Sequence, residues 1–239
     1  MIASSPHGSL YLIPAPLGES ELNAIIPTQV QEKIRSLEIF VVENAKTARA
    51  YFGQVKLNKP LQEITLLELN EHTPEATLTD LLQPLLKGKN VGLLSEAGCP
   101  AIADPGADLV RIAHQSGIRV VPLVGPSAIL LALMASGLNG QQFAFHGYLP
   151  VEEKERIAKI REIENQSRRL KQTQIFIETP YRNMKMLESL LQHCQPQTQL
   201  CIACDITLPS ELIQTRTISE WREKPPSISK RPTVFLFLA

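Results

Sequence analysis

The chain has 239 residues, and 24 lysines and arginines balance 24 aspartates and glutamates. With 44% hydrophobic and 20% charged residues, the composition is that of an ordinary globular protein, which excludes long disorder; zero net charge excludes a polybasic coat for DNA or membranes. Four cysteines are too few for a disulfide scaffold, the N-terminus lacks a basic segment leading into a long apolar run, and no stretch reaches the roughly 18 apolar residues of a membrane span, so a soluble, cytoplasmic protein is expected.

The first strand is predicted at Ser9–Ile13, stopped by Pro14-Ala-Pro-Leu-Gly18. The pattern then predicts a helix over 28–36, a buried strand over 38–42, a helix over 45–51 and a more polar strand over 65–69. A helix follows over 77–86 despite Pro84, then a buried strand over 90–94 ending in the loop Ser95–Gly106. A helix over 107–116 is capped by Gly117. The strand over 119–123 contains Pro122, which suits an edge position. Gly125-Pro126 turns the chain into an apolar helix over 127–136.

This alternation predicts a mostly parallel, doubly wound sheet. The second half begins a new pattern: a strand from Phe143, a charged helix over 152–171, a strand over 174–178, a helix over 183–194, and strands over 199–206, 211–217 and 233–238. The expected architecture is therefore two α/β domains, 1–140 and 141–239.

In open parallel sheets, ligands bind beyond the carboxyl ends of the strands. Three loops leave such ends and are rich in Gly, Pro and small residues: Pro14–Gly18, Ser95–Gly106 and Val124–Ala128. Small residues let backbone groups approach a ligand, and prolines fix the loop path. None is a phosphate cradle, since neither G-x-x-x-x-G-K-S/T nor G-x-G-x-x-G occurs at a strand end. The pair Cys201-x-x-Cys204 lies in a strand-like run, where positions i and i+3 face opposite ways, which disfavours a shared metal. Ser127 sits in G-P-S-A, not in a hydrolase elbow. The helix over 152–171 carries both signs of charge. Its terminal Arg168-Arg169-x-Lys171 offers contacts to RNA phosphates, against the plainer reading of a solvated helix face. Arg182, beside Tyr181, is a second candidate substrate contact.

Four segments, LYLIPAPLG (10–18), LLSEAGCPAIADPGADLV (93–110), VPLVGPSAILLALMASGL (121–138) and FAFHGYLP (143–150), resemble the tetrapyrrole-methylase-like, class III S-adenosylmethionine methyltransferases. The nearest resemblance is to the branch acting on cytidine 2′-hydroxyls of small-subunit ribosomal RNA, and IETPYR (177–182) is similar to its second-domain motif.

The resemblance implies a homodimer, S-adenosylmethionine between two α/β domains, and ribosomal RNA or the small ribosomal subunit as partner. Carried over by position, Pro14, Ala15, Pro16 and Leu17 would line the cofactor from the first loop. Gly98, Cys99, Pro100, Ala101 and Ile102 would hold its methionine portion and ribose. Ser127 and Ala128 would touch it from the fifth strand, and Thr179 and Pro180, next to Glu178, from the second domain. Transfer from a sulfonium needs alignment rather than a metal, and a ribose acceptor needs a base for its proton. Glu43 and Glu178 are the candidate bases, ahead of Glu96 and Asp104. The chain departs from the branch pattern at Asn44 and Glu96, where aspartates are usual, and stops at its last strand as a short form. A small tetrapyrrole-like acceptor, or a SAM-binding interaction protein without turnover, are the alternatives to RNA methylation.

Overall fold

The computed structural model describes residues 7–70 and 72–239. Residues 1–6, part of the N-terminal stretch read above as lacking a leader, lie outside the described residues. The chain divides into two compact units, Met1–Ser127 and Ala128–Ala239. Among the described residues, no helix is long and apolar enough to cross a membrane.

The first unit contains strands β1 (Ser9–Ile13), β2 (Ile39–Val42), β3 (Thr65–Glu68), β4 (Val91–Leu94) and β5 (Arg119–Pro122). Between them lie helices α1 (Leu22–Ile25), α2 (Thr28–Arg35), α3 (Ala45–Val55), α4 (Leu78–Leu81), α5 (Gln83–Leu86) and α6 (Gly106–Gln115). All strand pairings are parallel, in the order β3-β2-β4-β1-β5. Alternation along the strands feeds two cores. Ile13, Phe40, Val42 and Leu94 pack with α2 and α3 residues such as Ile34 and Phe52. Leu10, Val41, Val91 and Leu93 pack with Leu82, Leu85 and Leu109 on the other face. Pro122 does fall on an edge strand, where its missing N–H interrupts no central ladder. The helix expected over 77–86 is two short helices, because Pro84 fits only the first turn of a new one.

The second unit opens with α7 (Ala128–Ser136), followed by β6 (Phe143–Tyr148), α8 (Glu153–Leu170), β7 (Thr173–Glu178), α9 (Asn183–His193), β8 (Gln199–Cys204), β9 (Leu212–Thr217), α10 (Ile218–Glu223) and β10 (Thr233–Leu238). Its sheet has the order β6-β7-β10-β8-β9 and is mixed, with β10 antiparallel to both neighbours. Helix α7 groups with the second unit. The Thr215 hydroxyl donates to the Ser136 carbonyl at 2.6 Å, tying the end of α7 to β9. Phe176, Phe235 and Phe237 centre the core under α8, α9 and α10, with ring centroids 5.6 Å and 6.0 Å apart. Helix α10 is an addition to the predicted elements. Its signal is the capping box of Thr217 and Glu220, where each side chain satisfies the other's backbone N–H.

Candidate functional site

Because the first sheet is parallel, the loops after β1, β2, β4 and β5 all leave one edge. The chain moves from β1 to β2 and β3 on one side, and from β4 to β5 on the other. The crevice between the carboxyl ends of β1 and β4 is thus the switch point where such sheets hold ligands.

The two loops at that point are joined. Ala15 and Gly98 exchange both backbone hydrogen bonds, at 2.8 and 3.0 Å. Gly98 has φ +71°, the left-handed conformation that suits glycine. A Cβ on Gly125 would lie 2.2 Å from Pro14 Cβ, so the third loop can meet the first only through a glycine. The Cys99 thiol donates to the Pro126 carbonyl at 3.3 Å, and burial raises the thiol pKa, so this cysteine acts as a packed donor. Asp104 Oδ1 accepts N–H groups of Ala101 (2.8 Å) and Gly106 (2.7 Å). Ala101 and Ala103 hold φ of +66° and +59°, strained for alanine, and the Asp104 carboxylate fixes that path. Burial raises the Asp104 pKa, against those two hydrogen bonds.

A cavity of about 420 Å³ opens beside these loops, within the first unit. Ala15, Pro16 and Leu17 line it from β1, Glu43 and Asn44 from β2, Thr47 and Tyr51 from α3, and Ser95 and Glu96 from β4. Among the described residues, three carboxylates (Glu19, Glu43 and Glu96) and no Lys, Arg or His line it. That set fits a ligand carrying positive charge, as a sulfonium with an amino-acid ammonium does. Glu43 also lines a narrow adjoining space with Ser95 and Asp104.

Helix α3 begins at Asn44, whose Oδ1 accepts N–H groups of Lys46 (2.9 Å) and Thr47 (3.4 Å). Asparagine thus caps the helix without adding a charge. The Thr47 hydroxyl lies 2.8 Å from Glu96 Oε1, and the Tyr51 hydroxyl donates to the Pro14 carbonyl at 3.0 Å. Burial raises the Tyr51 pKa far above its ordinary value, so it stays a neutral donor. Sequence reasoning missed Thr47 and Tyr51; their only trace is the i, i+4 spacing that puts both on one face of α3.

The remaining expected residues fall elsewhere. Ser127 ends the first unit and Ala128 starts α7. Pro100 is buried and Ile102 half exposed in the β4 loop. In the second unit, Glu178 is buried at the end of β7 and its Oε1 is heavily used. It accepts from Thr179 N at 2.6 Å and from Arg182 Nε and Nη2 at 2.9 and 2.5 Å. The Pro180 carbonyl accepts from Lys230 N at 3.0 Å. Glu178 therefore anchors its loop and orients Arg182. Arg168, Arg169 and Lys171 are exposed at the end of α8, just before β7 begins. The five steps of β7 separate them from Glu178 by about 17 Å, so the two groups of expected substrate contacts sit at opposite ends of this strand.

The profile of the tetrapyrrole (corrin/porphyrin) methylases matches residues 9–221. The ribosomal RNA small subunit methyltransferase I of Vibrio cholerae serotype O1 is 33% identical over 217 residues, 90% of this chain and 71% of that protein. The protein of the same name from Bacillus subtilis is 32% identical over 216 residues, 90% of this chain and 70% of that one. Among solved structures, the methyltransferase CobJ superposes with a TM-score of 0.64 at 18% identity, covering 97% of this chain and 94% of that one. The cobalt precorrin-4 methyltransferase CbiF gives 0.60 at 14% identity, covering 96% and 94%. At those identities the two structures speak for the fold, while the profile and the relatives carry the family. The chain belongs to the tetrapyrrole (corrin/porphyrin) methylase family and is a methyltransferase.

Proposed function

We propose that this chain transfers a methyl group from S-adenosylmethionine to a ribose 2′-hydroxyl of small-subunit ribosomal RNA. The observation that carries the reading is identity of about one third, over 90% of the chain, to two proteins named as methyltransferases of that RNA. The acidic cavity at the switch point supports it. When bound, S-adenosylmethionine supplies an electrophilic methyl group on a sulfonium, open to in-line displacement by an aligned oxygen.

The chain's own residues have three tasks. Pro14–Leu17 and Gly98–Ile102 present backbone groups to the cofactor from two loops already tied together. Glu43, half buried at the end of β2, takes the ribose proton as the acceptor oxygen gains a bond. Glu178 is a weaker base, because a guanidinium and an N–H already occupy its Oε1. Arg168, Arg169 and Lys171 hold RNA phosphates. A cytoplasmic homodimer completes the proposal.

The test is methyl incorporation from labelled S-adenosylmethionine into small ribosomal subunits, with S-adenosylhomocysteine binding measured in parallel. Glu43→Gln is expected to slow turnover by about a hundredfold, with S-adenosylhomocysteine binding weakened far less. Full activity of that variant would remove Glu43 as the base. No incorporation by the wild-type protein would remove the RNA reading.

A further inference from the structure

The cavity is bounded by a closed circuit of hydrogen bonds, all within the first unit. The β1 and β4 loops are tied by the Ala15–Gly98 pair. The β1 loop is tied to α3 by Tyr51 and the Pro14 carbonyl, and the β4 loop to α3 by Glu96 and Thr47. These contacts join residues 37 and 49 positions apart, so no local turn enforces them. The Tyr51 arm is buried and the Thr47 arm is open to solvent. The single Thr47 proton has two acceptors in reach, the Asn44 carbonyl at 3.0 Å and Glu96 Oε1 at 2.8 Å. The charged carboxylate is the stronger acceptor, and a ligand that excludes water from the cavity strengthens that choice.

We propose that Thr47 and Tyr51 are positioning residues that set the spacing of the β1 and β4 loops for the cofactor, acting through Glu96 and the Pro14 carbonyl. Neither needs to touch the reacting atoms. The assignment rests on the reading of the first-unit loops as S-adenosylmethionine contacts. It also gives a use to Glu96, whose side chain reaches the Thr47 hydroxyl on α3.

The experiment is calorimetric titration of S-adenosylhomocysteine into the full chain and its Thr47→Val, Thr47→Ser and Tyr51→Phe variants, with thermal unfolding of each. Thr47→Val is expected to weaken binding by about fivefold, the worth of one hydrogen bond, with its unfolding temperature unchanged because the site is exposed. Thr47→Ser is expected to restore wild-type affinity. Tyr51→Phe is expected to weaken binding by a similar factor, and the double variant to lose less than the product of the two. Wild-type affinity in Thr47→Val, or equal losses in Thr47→Val and Thr47→Ser, would overturn the assignment whether or not Tyr51→Phe folds. If the wild-type protein itself fails to bind, the cofactor reading falls and this inference with it. Binding by the wild type with no difference among variants removes this inference alone.

Discussion

In the first sheet every strand points the same way, so four loops distant in sequence arrive at one edge, and those after β1, β2 and β4 line one cavity. In the second sheet β10 runs against β7 and β8, and polar side chains buried within the unit hold its elements together. Buried Glu164 accepts from Gln195 N at 2.7 Å and from the Thr198 hydroxyl at 2.6 Å. Buried Arg156 donates to Ser189 Oγ at 3.1 Å and to the Val151 carbonyl at 2.8 Å. The first unit holds two left-handed alanines in its β4 loop, while the second satisfies buried polar side chains internally, as a framework must. Changes in the first unit should therefore show in binding, and changes in the second in stability.

The largest effect is expected from Phe176→Ala, which empties the centre of the stacked aromatic core. A loss of about 3–5 kcal/mol is expected, read from denaturant unfolding followed by Trp221. That residue is the chain's one tryptophan and is buried in the second unit, so its emission reports that unit. Next comes Gly125→Ala, whose new Cβ collides with Pro14. A local cost of about 1–3 kcal/mol is expected, with S-adenosylhomocysteine affinity reduced about tenfold or more and native Trp221 emission unchanged. A shifted emission would break the contrast between the units.

Arg168→Ala and Arg169→Ala test whether the second unit also contributes to binding. Each is expected to lower the salt dependence of RNA affinity by about one unit of slope, with S-adenosylhomocysteine binding intact. Unchanged salt dependence would return these arginines to the role of helix-end charges. The smallest effect is expected from Thr217→Ala, at about 1 kcal/mol. Hydrogen bonds from the Thr217 hydroxyl and N–H hold Glu220 below its ordinary pKa of 4.5. The stability from this cap is present above that value and is lost as pH falls through the lowered folded-state pKa. Unfolding measured between pH 3 and 7 should show a flatter dependence in Thr217→Ala than in the wild type.

Much of the fold was legible because the strands of a covered parallel sheet are continuous apolar runs, as in β2 and β4, bounded by Gly and Pro. The rim loops were legible for the same reason: Pro14, Gly98 and Gly125 are punctuation, and punctuation sits at strand ends. What escaped was contact between distant positions. Nothing near Tyr51 announces the Pro14 carbonyl, 37 positions away. An apolar helix carries no mark of which sheet it covers, and here β8, β9 and β10 take it. Helix α10 was readable in principle, since threonine three residues before glutamate is a capping box.

Ala101 and Ala103 have a consequence beyond local strain. Glycine would adopt their positive φ angles freely, yet both positions carry a methyl group. At positive φ an alanine's strain outweighs the entropy it saves in the unfolded chain, so the β4 loop keeps this path through the Asp104 hydrogen bonds to Ala101 N and Gly106 N. A segment already ordered before a ligand arrives gives up little further entropy when one binds. Asp104, by holding the two methyl-bearing residues in that conformation, thus moves the cost of ordering the loop to the single event of folding.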